Sequence, residues 1–574
     1  MMRFSINWAK RLPILGWLPH YSVGKLQRDF IAGLTVGLMV IPQGLAYASI
    51  AELPPQYGLY SSFMGGFIYC FLGSSKDITQ GPTAIMSLMV AMHSADFHSK
   101  QSSVNYAIAL SFFCGIIWLL MGLFSLGFIV QIMPLPVISG FTSAAAITIG
   151  VGQIRHLLGL SNIPREFFPC IIKIFTKIGG TNVWDLTLGL ICIFLLELLR
   201  YVRPVELPAH YYDSPPTRVQ KVSRKFLWIL CTARNAIIVF ATALVALAYH
   251  EKGLTPFTLT GKVEEGLPDF QFPSLKTQDK NTTVTTLDMI SDIGSGFIVI
   301  PIIGFVENIV IAQAFARKNH YEVDATQELI SLGVGNIATS FFSGYPITGS
   351  FSRTAVNDMS GVATQMGGVF TGSVVLLALS VFTPFFKYIP KASLSSIIIM
   401  AVLRMVDFRI VKRMWQTNKI DLVPFFVTFF SCFYELDIGI LCGVLIAMVV
   451  FLYRRLVPKI EILGEINGRY HFKLHGGVTY VGIEYLTSKV REKALVNNKS
   501  VVIFLECSTM FECDFTVTEG LVQLYHECGD RDTKLIFCDV RKDVKKMLLN
   551  AGLPTELFKS DLPEDLSGLL NTPM

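Results

Sequence analysis

Charge is scarce in this sequence. Only 16% of the residues are Asp, Glu, Lys or Arg, against about 25% in soluble domains, and 52% are hydrophobic. A 574-residue chain of this composition is excluded from the ordinary soluble class and points to many membrane crossings. A large net charge is also missing. The balance of +6 argues against nucleic acid as a partner and fits a basic cytoplasmic face. The eleven cysteines contain no CxxC pair, so small buried thiols are expected rather than a metal or disulfide site. No HExxH, GxSxG or other catalytic set occurs, which points away from an enzyme and implies no cofactor. Residues 1–28 lack a signal peptide's cleavage pattern; with Arg3, Lys10, Arg11, Lys25 and Arg28 they read as a cytoplasmic lead-in.

Long apolar runs are what the chain does have. A helical span needs roughly 20 such residues. Candidates are Phe30–Ile50, Tyr57–Leu72, Ala107–Phe128, Val137–Leu157, Trp184–Leu199 and Phe226–Tyr249. After a polar stretch at 250–290 come Ile293–Phe315, Gln327–Phe342, Gly367–Phe386, Ala392–Met405, Leu422–Tyr434 and Ile438–Tyr453. Two pieces, Pro82–His93 and Gly349–Met359, are apolar but too short to span. Counting both gives seven elements before the polar stretch and seven after it. With the N-terminus inside, Arg200 to Lys225, Arg317 and Lys318, Arg404 to Lys419, and Arg454 to Lys459 all become cytoplasmic, as positive-inside bias requires. The 250–290 loop is then outside, making Asn281 of Asn281-Thr282-Thr283 a glycosylation candidate; a second sequon at Asn498 falls inside. One loop conflicts: 155–182 carries Arg155, Arg165, Lys173 and Lys177 yet lands outside.

From about Lys459 the texture changes. "KSVVIFLEC" (499–507) and "TKLIFCDV" (533–540) are short buried-strand patterns, and "TVTEGLVQLYHEC" (516–528) and "KDVKKMLLNAGL" (542–553) have helical spacing. Alternating strands and helices predict a small cytoplasmic α/β domain. The expected division is 1–28 as the cytoplasmic N-terminal segment, 29–455 as the membrane domain and 456–574 as the cytoplasmic domain, with both termini cytoplasmic.

Two broken elements at corresponding places in two halves suggest an inverted-repeat transporter. Their N-termini would face each other near the midplane, each with unsatisfied N–H groups and the positive end of a helix dipole. Gly81 and Pro82 suit the start of the first, Gly349 and Ser350 the start of the second. Arg353 then lies about one turn in, able to lean back to the helix mouth and strengthen an anion site; the alternative is a structural pair with Glu307. In "VIPQGLAYA" (40–48), Pro42 bends the first span, Gln43 offers amide donors at the bend, and Tyr47 follows one turn on. Gln43 is a substrate contact or helix glue; Tyr47 is a gate or an interface aromatic. Glu307 is a carboxylate in mid-span, costly unless protonated. It is a proton-coupling, charge-tuning group or a static partner of Arg353.

These residues carry a resemblance. "PPQYGLYSSFMGGFIYCFLGSSKDITQGP" (54–82) closely resembles the signature of the sulfate permease family of anion transporters, and the tail resembles a STAS domain; within the family, the likeness is greatest to the animal sodium-independent carriers. The resemblance implies a polytopic all-α membrane domain of 7+7 inverted-repeat helices, fourteen with two half-helices, split into a moving core and a fixed gate. It implies elevator-like alternation and a homodimer through STAS and membrane domains, surrounded by lipid. The substrate site it implies falls on Gln43, Tyr47, Thr83, Ser352 and Arg353. Many chloride-handling relatives have Phe where Thr83 stands, and Glu307 resembles the acid of proton-coupled sulfate carriers. Bacterial STAS-like regulators carry a phosphorylatable Ser where Phe515 stands here. The expectation is a secondary transporter of sulfate and related anions, by proton coupling or exchange, with chloride, oxalate and bicarbonate as further substrates, in the plasma or lysosomal membrane. The alternatives are a chloride/bicarbonate exchanger, an uncoupled chloride pathway, or a membrane scaffold or sensor acting through the STAS domain.

Overall fold

In this computed structural model each apolar run becomes a helix, and polar side chains mark where several of them begin. The structure describes residues 11–93, 100–128, 133–164, 166–202, 227, 230, 231, 233–261, 266–279, 282–456, 459–466, 469–475, 478, 480, 482–494, 501–508, 510 and 513–559. Asn281 and Asn498 lie outside them.

The first half contains α1 (Val23–Ile50), α2 (Pro55–Leu72), the two-residue strand β1 (Gln80–Gly81), the short α3 (Ala84–His93), α4 (Lys100–Leu123), α5 (Leu135–Leu157), α6 (Phe167–Thr176), α7 (Val183–Tyr201) and α8 (Arg234–Glu251). A hairpin, β2 (Thr277–Asp279) and β3 (Thr282–Val284), and α9 (Thr286–Ile293) connect the halves. The second half contains α10 (Gly296–Lys318), α11 (Ala325–Phe341), β4 (Thr348–Gly349), the short α12 (Phe351–Met359), α13 (Met366–Val381), α14 (Lys391–Val402), α15 (Phe408–Thr417), α16 (Leu422–Ser431) and α17 (Leu436–Leu456). Ser22 accepts the Lys25 N–H at the start of α1, Asn182 that of Trp184 at α7, and Asp324 those of Thr326 and Gln327 at α11; each satisfies an otherwise orphaned donor. On length and hydropathy alone, α1, α4 from Ser102, α5 and α10 could each cross a membrane. The remaining elements complete seven per half in the order expected, α6 and α15 lying outside the count. The expected start of the sixth span, Phe226, lies outside the described residues; its described helix runs Arg234–Glu251.

Packing sorts the helices into two sets. In one, α13 lies on α1 and α2, and α11 lies on α2 and α4; in the other, α5 packs against α14 and α16, and α14 against α7. Glycines bring the backbones together, as small residues do between membrane helices. A Cβ at Gly66 would sit 2.5 Å from the Gly368 carbonyl oxygen, and one at Gly333 2.9 Å from that of Gly115. The first set also encloses acids with full complements of donors. Asp29 accepts from the Ala363 and Thr364 N–H groups at 2.7 and 2.9 Å and from the Thr364 hydroxyl at 2.6 Å. Glu328 accepts from Tyr69, Ser74 and Asn308.

The chain divides into two compact units at Val444 and Leu445. The second unit holds a five-stranded sheet in the order β5 (Lys459–Ile466), β6 (Arg469–His475), β7 (Val502–Glu506), β8 (Lys534–Cys538), β9 (Phe558–Lys559). The β5–β6 pair is antiparallel and the rest parallel. α18 (Ile483–Ala494), α19 (Phe515–Asp530) and α20 (Lys542–Asn550) supply Leu486, Leu521 and Leu548 to the same apolar core as Phe472, Leu505 and Phe537. β5, β6, α18 and β9 were not read from the sequence. Asp514 caps α19 by accepting the Val517 N–H at 2.8 Å, and Phe515, next in line, is exposed. Burial pushes the pKa of His471 down, so its 3.3 Å approach to Glu506 is not an ion pair at neutral pH; Lys473, 3.2 Å from the same carboxyl group, provides the charge.

Candidate functional site

The two short helices do not begin where glycine and proline suggested. Gly81 and Gly349 belong to β1 and β4, which pair antiparallel with Gln80 opposite Gly349 and Gly81 opposite Thr348. Pro82 lies two residues before α3 rather than at its first position, and Thr83 takes the capping role: its hydroxyl oxygen accepts the Met86 N–H at 3.3 Å. The reason is pairing. Residues held in a strand cannot also take up the first helical turn, so each helix starts after its strand ends. Ser350 does occupy the N-cap position of α12, but its side chain makes no capping bond. Its own N–H donates to the Thr79 carbonyl at 3.2 Å. The first-turn N–H groups of α12 are therefore uncapped by Ser350.

Arg353 is fully buried behind this junction. Its Nη1 donates to the Pro82 carbonyl oxygen across the two halves at 2.7 Å, while Nε and Nη2 have no partner. Gly81 makes room for it: φ is +157°, and a Cβ there would lie 3.2 Å from Nη2. Among the described residues neither Arg353 nor Glu307 has an ion pair. The structural Arg353–Glu307 pair considered from the sequence is thus not formed. Glu307 instead accepts the Thr83 hydroxyl at 3.2 Å.

In front of the junction is a cavity of about 330 Å³ lined by Gln43, Tyr47, Thr83, Glu307, Ser350 and Ser352, together with Met39, Arg234, Asn235 and Arg404. Arg353, Gly81, Pro82 and Gly349 are not in its wall. The Gln43 amide oxygen is buried and unpartnered, and the Ser350 and Ser352 hydroxyls are 3.4 Å apart. A second cavity, of about 160 Å³ and lined by Ile303, Val306, Phe351 and Met405, touches the other side of Glu307. A third, of about 390 Å³, lies beyond the far end of α3 against α5 and the start of α17. In its wall Arg155 Nη2 meets Glu52 at 3.0 Å. Lys177 donates to the Ser161 and Asn162 carbonyls. Two cations of the loop that defied the positive-inside count are therefore occupied locally. Sequence reasoning missed the Pro82 carbonyl, a backbone group without a side-chain signal, and Arg234 and Asn235 on the cavity wall.

Comparison with known proteins identifies the scaffold. The sulfate permease family pattern matches residues 26–428 and the STAS domain pattern residues 458–564. The chain belongs to the sulfate permease family. It is 44% identical over 555 residues to the bovine sodium-independent sulfate anion transporter, covering 97% of this chain and 90% of the relative. It is 31% identical over 583 residues to the chloroplastic sulfate transporter 4.1 of Arabidopsis thaliana, covering 96% and 80%. In structure it is similar to the murine Solute Carrier 26 family member A9 anion transporter in the inward-facing state, with TM-score 0.82 at 21% identity, covering 96% and 92%. The transmembrane domain of the cyanobacterium bicarbonate transporter BicA gives TM-score 0.57 at 19% identity, covering 74% and 98%. The chain is an integral membrane anion transporter with a C-terminal STAS domain, and its family is one of transporters; among the described residues, fourteen of the helices follow the 7+7 order of an inverted repeat.

Proposed function

We propose that this permease carries sulfate and related small anions by alternating access. The anion lies between the ends of α3 and α12, and the set containing α1–α4 and α10–α13 moves as an elevator against the set containing α5, α7, α14 and α16. The observation that carries this is the buried Arg353 guanidinium, two of its N–H-bearing nitrogens unused, behind a cavity rimmed by Gln43, Thr83, Ser350 and Ser352.

Charge arithmetic supports a divalent cargo. Each helix end contributes about +0.5, so two give about +1, and Arg353 adds one more. The total of about +2 matches sulfate when Glu307 is protonated. An ionised Glu307 leaves about +1, which suits a monovalent anion such as chloride or bicarbonate. Glu307 thereby couples a proton to the divalent anion, and the Thr83 hydroxyl, able to donate or accept, serves either state. Arg234 and Arg404 at the wall support a reading in which the cavity opens to the basic, cytoplasmic face. Both termini are then cytoplasmic, with the STAS domain the natural contact for a second copy.

The test is radiolabelled sulfate flux into liposomes holding the purified protein, with a pH gradient and competing chloride, oxalate and bicarbonate. Saturable sulfate uptake stimulated by acid outside is expected. Absence of flux under every gradient overturns the reading and leaves the scaffold alternative.

A further inference from the structure

We propose that α15 is a docking surface for anionic phospholipid headgroups, and that this contact sets the position of the neighbouring cavity wall. α15 connects α14, which ends at Val402, to α16, which begins at Leu422. Both neighbours are apolar elements of the membrane unit, so connections this short keep α15 close to them, at the bilayer surface. At 100° per residue its circumference has three sectors. Ile410, Val411 and Met414 face inward and join Leu422, Phe425 and Phe429. Beside them Phe408 and Trp415 are 75% and 60% exposed, and exposed aromatic rings favour the membrane boundary. The remaining sector is Arg409, Lys412 and Arg413, all exposed, and Lys419 adds a fourth cation 5.0 Å from the Trp415 ring. Asp407, the nearest acid in sequence, accepts the Arg409 N–H as the helix cap. Among the described residues none of the three cations has an ion pair. An apolar edge beside an exposed basic stripe is how a helix lies in an anionic leaflet.

The corresponding helix of the first half sharpens this. α6 also follows the fifth span of its half and also has ten residues, but its exposed side chains include Phe168, Ile172 and Phe175, and its one cation is Lys173. An inverted repeat puts the two helices on opposite leaflets, and the basic one is on the side whose loops are rich in arginine and lysine. The link to transport is short: Arg404 and Met405, on the cavity wall, precede Phe408 by only a few residues.

The experiment uses the full-length protein and the R409Q/K412Q/R413Q variant, with K173Q as control. Native mass spectrometry in neutral detergent, with equal phosphatidylserine and phosphatidylcholine, reads lipid retention. Each neutralised cation weakens attraction to anionic lipid roughly fivefold. The triple variant is therefore expected to lose the wild type's serine-lipid preference by on the order of a hundredfold, and K173Q to keep it. In liposomes, adding phosphatidylserine is expected to stimulate sulfate uptake by the wild type and not by the triple variant, with equal uptake in phosphatidylcholine alone. An unchanged serine-lipid preference in the triple variant, its equal loss in K173Q, or stimulation that persists in the triple variant overturns the proposal. If the wild type moves no sulfate in any membrane, the transport reading fails and the retention measurement alone decides the lipid site.

Discussion

The two halves of the membrane unit use one backbone plan for different chemistry. Each brings a two-residue strand and a short helix to the same junction, yet the first half contributes neutral donors there, from Gln43, Tyr47 and Thr83, and the second contributes both charges, Glu307 and Arg353. The third residue of α3 is Met86; the third of α12 is Arg353. α6 and α15 repeat the contrast at the membrane surface. The repeat fixes where groups can be placed; the residue at each place decides which chemistry the cavity offers.

That division of labour can be broken. The largest effect is expected from Arg353→Gln, which leaves the neutral half intact: sulfate uptake falls to background while surface labelling shows normal expression. Undiminished uptake would remove the guanidinium from the mechanism. Next is Gly81→Ala, which presses a methyl group on Arg353 from the opposite half. Backbone strain of about 1–3 kcal/mol is expected to lower uptake at least roughly fivefold, and wild-type uptake would show that the contact yields freely. Glu307→Gln should remove stimulation by external acid while retaining uptake at low pH; an unaltered pH profile would make Glu307 structural. Thr83→Val deletes one hydroxyl that serves both helix cap and Glu307. A loss of about 1 kcal/mol, roughly fivefold in sulfate affinity with a relative gain for chloride, is expected in competition assays. Glu52→Gln is the mildest, since part-exposed ion pairs are worth up to about 1 kcal/mol. A shift in thiol-reagent labelling of Cys432, in the same cavity wall, is expected, and no shift would make the pair ornamental to the transition.

Much of this plan was legible in the sequence because long apolar runs and arginine-rich loops are statistical signals spread over many residues. The short helices were visible as runs that stop early. Their true starts were not, because a strand of two residues has no period to detect, and the pairing of Gln80 with Gly349 joins segments far apart in sequence. The carbonyl that Arg353 binds belongs to Pro82, and no side chain announces it. α6 and α15 were read as loops because each has only ten residues, far short of a span, and the cations of α15 were counted as loop charge instead.

The β1–β4 pairing also says something about the journey. The two strands are bonded to each other and Arg353 is anchored across them at Pro82, so the two sides of the proposed cradle are tied to one another. Under the proposed elevator movement, a cargo held there would travel inside an unchanging enclosure, its recognition settled once, on loading. Direction is then left to whatever gradients lie at either end of the ride.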